Sequence, residues 1–350
     1  MPRVFVAMSG GVDSSVAAAL LLEQGHDVTG VTMQLWPSTD EVGGCCSVNA
    51  IRDAKRVCDL LGIAHYSLNY RDVFEREVVE PFAREYADGR TPNPCIACND
   101  RLKFSDLMAK VVTQGADFLA TGHYARLVPQ DDGAVRLARG RDANKDQSYF
   151  LYRLTAEQAA HTLFPVGELH KSEVRAFAER FGLPVAKKAE SQETCFAEDG
   201  EYAPVVTSRY PRSAEAGDIV DLSGSVLGRH EGLAHYTVGQ RKGLGIGGVA
   251  EPLYVVSLDP ETNRVVVGGR ADLRVHEVEA DKVVWHGGPE ERLLAAVRYR
   301  MEPRPALARL IDGRLDVVFD EALEGVAPGQ SVVCYRGDVV VGGGVITCAS

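Results

Sequence analysis

VFVAMSGGVDSSVAAALLLEQG, residues 4–25, decides how the chain is read. Val4 to Met8 make a short apolar strand, Gly10 and Gly11 a turn, and the Ala- and Leu-rich run that follows a helix closed by Gly25. Glycines between a strand and a helix let the backbone approach a ligand closely. The N–H groups at the helix start, with the hydroxyls of Ser9, Ser14 and Ser15, then form a cradle suited to a phosphate. Asp13 stands where a carboxylate holds Mg²⁺ against pyrophosphate oxygens, because a hard cation takes oxygen ligands. No Lys-Ser/Thr pair follows the glycines, so the turn is not a P-loop.

Outward from this stretch the βα alternation continues. DVTGVTMQLW (27–36) reads as a strand, residues 48–61 as a helix, AHYSLN (64–69) as a strand and DFLATGH (117–123) as another. Strands separated by helices imply a parallel sheet covered on both faces, with ligands at the strand carboxyl ends. After about residue 200 helical periodicity fades. LYVVSLDPETNRVVVGG (253–269) is a hairpin signal, and RLIDGRLDVVF (309–319) and VAPGQSVVCYRGDVVVGGGVI (326–346) suggest a small antiparallel barrel or sandwich. The expected class is α/β: a parallel-sheet nucleotide-binding and catalytic domain over 1–200, a central β-rich domain over 201–272, and a C-terminal β-barrel over 273–350. Gly243 to Gly248 formally fit the dinucleotide pattern, but the β-like VAEPLYVV after them leaves no helix for that motif.

Composition bounds the rest. Hydrophobic residues at 45% and charged residues at 25% describe a globular chain rather than a disordered or fibrous one. No segment is apolar for the ~18 residues of a membrane span, and no basic end with an apolar stretch behind it marks a secretory signal; a cytoplasmic protein is expected. A net charge of −11 argues against broad non-specific nucleic-acid binding but leaves room for a local basic surface such as Arg298, Arg300, Arg304 and Arg309. Eight cysteines in 350 residues are too sparse for a disulfide scaffold, so the clustered ones point to chemistry or metal. In TPNPCIACN (91–99) two prolines and two asparagines predict a turn-rich loop that presents Cys95 and Cys98. Their C-x-x-C spacing suits a redox pair, half a zinc site or iron–sulfur ligands, and no second pair completes a zinc site. Cys195 lies in a polar loop, ESQETCFAEDG (190–200). Burial is the expected fate of Cys45, Cys46, Cys58, Cys334 and Cys348.

The Ser9–Ser15 pattern resembles the fingerprint of ATP pyrophosphatases, which cleave ATP between its α and β phosphates. Together with TPNPCIACN, TGHYA (121–125), NKDQSYFL (144–151), ETCF (193–196), TVGQRKGLGIGG (237–248), RYR (298–300) and PGQS (328–331), in this order along the chain, it resembles the bacterial tRNA-specific 2-thiouridylases. The resemblance implies a HUP-like first domain with ATP held by Ala7, Met8, Ser9, Gly10, Gly11, Val12, Asp13, Ser14, Met33 and Gly122. It implies Cys98 as nucleophile and Cys195 as persulfide carrier, with Asn93, Pro94 and Cys95 meeting the target base. His123, Lys145, Asp146, Gln147, Tyr299, Arg300 and Gln330 would meet the tRNA anticodon arm. Implied cofactors are ATP and Mg²⁺, and implied partners are tRNA and a persulfide sulfur-donor protein. Some members carry Asp where this chain has Cys95, which puts a general base there in doubt. It also opens an alternative in which Cys95, Cys98 and Cys195 ligate a [4Fe–4S] cluster.

Two other classes compete. An ATP-dependent amide-forming synthetase shares the turn but needs no loop cysteines; an RNA-binding protein without enzymatic activity gives no reason for Asp13 in a pyrophosphate-shaped turn. On the tRNA reading, removing the charges of Arg298 and Arg300 weakens tRNA binding and lowers the slope of log affinity against log salt by ~1 for each lost phosphate contact. Filter binding over a salt series measures it, and an unchanged slope overturns this placement.

Overall fold

The α1 helix (Val12–Glu23) sits directly after strand β1 (Arg3–Ala7), and its burial organises the first part of the chain. Nine of its residues, from Val12 to Leu21, are buried, and the run Val16-Ala17-Ala18-Ala19 gives it a surface small enough to lie close to a sheet. Gly25 ends the helix with φ +85° while its N–H and that of His26 donate to the carbonyls of Leu22 and Leu21, a left-handed cap that only glycine adopts without strain. The chain is described by a computed structural model covering residues 1–36, 48–131, 133–189, 195–197, 201–248 and 251–350. Cys45 and Cys46 lie outside the described residues.

Two compact units emerge. The first comprises residues 1–78, 95–200 and 338–340, and the second residues 79–94, 201–337 and 341–350. In the first, β1, β2 (Asp27–Gln34), β3 (Ala64–Asn69) and β4 (Phe118–Thr121) pair in parallel. The amphipathic helix α2 (Val48–Leu61) buries Ala50, Ala54, Val57 and Cys58, a helical i, i+4, i+7, i+8 stripe. A hairpin of β5 (Ala125–Pro129) and β6 (Val135–Arg139) follows, and the two-residue β7 (Thr162–Leu163) completes the sheet order β3-β2-β1-β4-β7. The core of this unit joins Val4, Val6, Val16, Ala17, Ala54, Val57 and Ala120 to Val174 and Ala178 of the helix Lys171–Arg180.

The second unit holds two β structures. Strands β8 (Gly217–Asp221) and β9 (Val226–His230) join β10 (Tyr254–Asp259) and β11 (Arg264–Gly268) in the order β10-β11-β8-β9. The hairpin expected over 253–269 is β10–β11, and β10 rather than a helix follows the Gly-rich stretch at 243–248. Strands β12 (Arg274–Trp285), β13 (Glu290–Ala296), β14 (Arg304–Ile311), β15 (Arg314–Glu324), β16 (Ser331–Arg336) and β17 (Val339–Ala349) form an antiparallel ring that β12–β17 pairing closes. Closure removes the unpaired edges that an open sheet of this composition would expose. Asp312 and Gly313 both have positive φ between Ile311 and Arg314, the two-residue turn that matches strand twist.

Cysteine burial follows expectation at two of three described positions. Cys58 and Cys334 are fully buried, and burial pushes the Cys58 thiol up to about 11. Cys348 is exposed instead: it lies next to the end of β17, where the barrel wall runs out. Among the described residues no helix is long and apolar enough to cross a membrane.

Phe319, 2% exposed inside the barrel beside Leu315 and Val317, carries much of that core. Phe319→Ala is expected to lower unfolding free energy by about 3–5 kcal/mol, read from urea denaturation of the barrel's signal.

Candidate active site

The turn after β1 occupies a topological switch point. From β1 the chain adds β2 and β3 on one side and then crosses to place β4 on the other, so the strand ends of β1 and β4 frame a crevice. Gly10 has φ +68°, and a Cβ there would lie 2.2 Å from the Ala50 carbonyl oxygen at the start of α2. A Cβ on Gly122, just past β4, would lie 2.5 Å from the Ser14 nitrogen in the first turn of α1. Both glycines are therefore places where backbone meets backbone. Gly11 is extended, and among the described residues no side chain caps α1, so its first-turn N–H groups and the positive end of its dipole stay directed to the turn. Ser14 Oγ accepts from the Ser9 N–H at 3.2 Å, and Ser15 Oγ donates to the Gly11 carbonyl at 2.7 Å, which fixes the loop shape.

Charge around the turn is supplied by residues that sequence reading passed over. Asp13 Oδ1 accepts from the Tyr124 hydroxyl at 2.7 Å and from Lys171 Nζ at 2.7 Å, and Oδ2 takes Lys171 Nζ at 2.9 Å. Lys188 Nζ donates to the Gly10 carbonyl at 3.0 Å and to Asp53 Oδ2 at 2.7 Å. Lys171 and Lys188 lie 158 and 178 residues from their partners on the turn, so no local signal marks them. Lys171 opens the helix Lys171–Arg180, where its own N–H donates to the buried Asp142 at 2.9 Å.

Magnesium fits Asp13 in one way. With three hydrogen bonds from two donors already on the carboxylate, Oδ2 keeps a lone-pair site for a cation. No group of three His, Cys, Asp or Glu side chains gathers as a metal site among the described residues. The ion would therefore arrive with phosphate oxygens and take Asp13 as its protein carboxylate, the usual mode for Mg²⁺. The same finding covers Cys95, Cys98 and Cys195, which are not gathered as a ligand set, so the residues present do not fit an iron–sulfur cluster.

The cysteine segment departs from expectation. Instead of a loop, Pro94–Ala97 forms a helical turn that continues as a wide π-helix over Cys98–Leu107 and an α-helix over Met108–Thr113. Pro94 stands at the helix start, where its missing N–H costs nothing, so the prolines that signalled a loop instead open a helix. Cys95 is consequently exposed and Cys98 is 8% exposed. Asn99 beside it is clamped, its Nδ2 donating to the Phe150 carbonyl at 3.1 Å and its Oδ1 accepting from Lys103 Nζ at 2.8 Å. Cys195 is half-buried, and the neighbouring Phe196 packs against Trp36 and Phe74 with ring centroids 6.1 and 5.9 Å away. The turn, Cys98 and Cys195 all belong to the first unit.

Of the other expected site residues, Met33 is buried in β2, 8% exposed. His123 Nδ1 shares a hydrogen bond with Thr121 Oγ1 at 2.7 Å, and its ring packs with those of Phe104 and Phe164 in a cluster whose centroids are 6.0–6.2 Å apart. Asp146 is turned inward, accepting from the N–H groups of Gly140 and Ser148 and from the Ser148 hydroxyl, while Gln147 Oε1 accepts from the Tyr124 N–H. Lys145 is half-buried. In the second unit the Gln330 amide donates to the Thr91 carbonyl at 2.9 Å and the Thr91 N–H donates to Pro328, so the segment carrying Asn93 is held from 328–330. Arg298 and Arg300 are exposed, and the Arg300 guanidinium lies over the Tyr299 ring at 5.4 Å, whereas Arg309 is paired with Glu290 at 2.7 Å.

Comparison with known proteins matches the chain to three domain models. A tRNA methyl transferase HUP domain matches residues 2–199, a tRNA methyl transferase PRC-barrel domain residues 206–269, and an aminomethyltransferase beta-barrel domain residues 275–346. Among full-length relatives, the tRNA-specific 2-thiouridylase of Moorella thermoacetica is 51% identical over 97% of this chain and 98% of its own. That of Paramagnetospirillum magneticum is 51% identical over 98% and 95%, and that of Clostridium botulinum 47% over 98% and 97%.

His123 sets a pH dependence. Burial first, and then the Lys103 charge, hold its imidazole well below the ordinary 6.5. The unfolded chain therefore takes up a proton near that pH while the folded one does not. Stability is full above it and falls by about 1.4 kcal/mol per pH unit as pH drops below, until the folded ring is protonated. His123→Gln is expected to flatten this decline, as measured by denaturant titrations between about pH 6.5 and 5.5.

Proposed function

The chain belongs to the tRNA-specific 2-thiouridylase family and is a tRNA sulfurtransferase, and from that premise we propose that it adenylates carbon 2 of the wobble uridine with ATP at the Ser9–Ser15 turn and delivers sulfur through Cys195 and Cys98. The observation that carries this reading is that the turn and both thiols belong to one compact unit. The domain descriptions speak of methyl transfer, but the full-length relatives carry the thiouridylase name, and a pair of thiols suits sulfur transfer.

The uracil carbonyl oxygen is a poor leaving group, so it is first converted to an adenylate, with pyrophosphate leaving toward the first turn of α1. There the backbone N–H groups, Lys188 and Lys171 receive the charge that develops on it. Magnesium, held through Asp13, would supply further neutralisation of the phosphates. A persulfide on Cys195 then provides the sulfur. Cys98 thiolate attacks the Cys195 sulfur, the S–S bond of the persulfide breaks, and hydrosulfide leaves to attack carbon 2, expelling AMP. The product pair is 2-thiouridine and a Cys98–Cys195 disulfide, which an external thiol must reduce before the next turnover. Such a cycle belongs to a reducing, cytoplasmic setting with a persulfide-donating protein as sulfur source.

The half-burial of Cys195 and near-complete burial of Cys98 suit a persulfide that must be shielded from water until the adenylate forms. Met33 and Gly122 are proposed to meet the adenosine. We assign Asn93, Pro94 and Cys95 to the extruded base, and His123, Lys145, Asp146, Gln147, Tyr299, Arg300 and Gln330 to the anticodon arm. A base to be modified must leave the stack, which favours a single-stranded loop as target.

The test incubates protein, ATP, magnesium, a persulfide donor and unmodified tRNA and weighs the digested nucleosides. A mass gain equal to oxygen-for-sulfur exchange in uridine is expected. Cys98→Ser and Cys195→Ser should lower that product by about 10³-fold or more while ATP–pyrophosphate exchange persists. Undiminished thiolation in both variants would overturn the sulfur route through Cys195 and Cys98, and ATP–pyrophosphate exchange without any mass gain in wild type would favour an amide-forming synthetase.

A further inference from the structure

We propose that Lys171 is a displaceable counter-ion: its ammonium holds Asp13 while the turn is empty and transfers to the phosphates of the nucleotide when a divalent cation takes Asp13. The inference rests on the reading of the turn as a nucleotide site.

A carboxylate in the first turn of a helix is favoured by the dipole, but it repels the polyanion that the same N–H groups attract. Lys171 cancels that repulsion. Its ammonium contacts both Asp13 oxygens, at 2.7 and 2.9 Å, with the lysine side chain 12% and the aspartate 30% exposed, so either charge left alone would be poorly solvated. Around the turn Asp13 is paired with Lys171, and Asp53 with Lys188 at 2.7 Å and Arg56 at 3.8 Å. While the turn is empty the Lys171 charge is thus engaged by Asp13. A divalent cation on Asp13 changes this, because it releases one ammonium beside the phosphates at the moment they arrive.

The construction permits that movement. The backbone of Lys171 is fixed, its N–H bound to the buried Asp142, whereas its charge sits at the end of a flexible four-carbon stem. Tyr124 holds Asp13 Oδ1 independently at 2.7 Å, so the carboxylate keeps its place when the ammonium leaves. The Tyr124 ring lies 5.6 Å from the same ammonium and offers it an aromatic surface along the way. Lys188 is tied differently, to the Gly10 carbonyl and to Asp53 outside the turn.

The test compares wild type, Lys171→Met and Lys171→Arg in two measurements. Mn²⁺ binding to nucleotide-free protein is followed by electron paramagnetic resonance, and MgATP binding by calorimetry. Removing the competing ammonium should strengthen Mn²⁺ binding in Lys171→Met. The bidentate guanidinium should weaken it in Lys171→Arg, giving the order Met, wild type, Arg. MgATP should bind Lys171→Met about tenfold to a hundredfold more weakly, the loss of one charge-assisted hydrogen bond. A permanent structural ion pair predicts no such opposite signs. Equal Mn²⁺ affinity across the three proteins, or MgATP affinity in Lys171→Met within about twofold of wild type, overturns the proposal. Should Lys171→Met fail to fold, the Lys171→Arg comparison decides alone: Mn²⁺ affinity equal to wild type overturns it. Failure of wild type itself to bind MgATP would instead remove the nucleotide reading of the turn.

Discussion

Backbone packed against backbone at Gly10 and Gly122 is the constraint on which the rest of the first unit depends. Gly10 sits against the carbonyl of Ala50, and Gly122 against the first turn of α1, at distances that leave no room for a Cβ. This brings the start of α1, the start of α2 and the end of β4 to a single place. A buried helix flanked by small residues can approach the sheet that closely, and α1 with its alanine run is such a helix. The crevice at the switch point is thus a consequence of close packing, and its N–H groups are aimed before any ligand arrives, which is what electrostatic preorganisation requires.

Around that rigid turn the charges are arranged as pairs. Asp13 pairs with Lys171, and Asp53 with Lys188 and Arg56. The sulfur groups are set on less regular supports. Cys98 opens a wide helix pinned through Asn99, and the 195–197 turn is anchored by Phe196 on an aromatic group with Trp36 and Phe74. Phosphate chemistry requires fixed donors, whereas sulfur transfer requires a carrier that is loaded by one molecule and unloaded onto another. The rigid and irregular supports are suited to those separate demands.

In the second unit the barrel does more than close its own edges. The stretch 328–330 hydrogen-bonds both polar backbone groups of Thr91, and a Cβ on Gly329 would lie 2.8 Å from the Thr91 nitrogen. Residues 79–94 thereby belong to this unit, with Tyr86 against Tyr202 at 4.5 Å between ring centroids. Asn93 and Pro94 lie two and three residues beyond this anchor, which Gln330 makes through its amide.

What the sequence by itself determined follows from local rules. The apolar run Val4–Met8, the two glycines and the alanine-rich helix specify β1, the turn and α1 because strand, turn and helix preferences all act within a few residues. The β10–β11 hairpin was legible for the same reason. Only the tertiary structure decided that Lys171 and Lys188 reach the turn, since partners 158 and 178 residues apart share no periodicity. It also decided that Asp146 faces inward onto Gly140 and Ser148, and that the proline-rich cysteine segment winds into a helix which buries Cys98. Local chemistry sets which conformations a segment favours; which long-range partner satisfies a buried charge or polar group is settled only when the whole chain has packed.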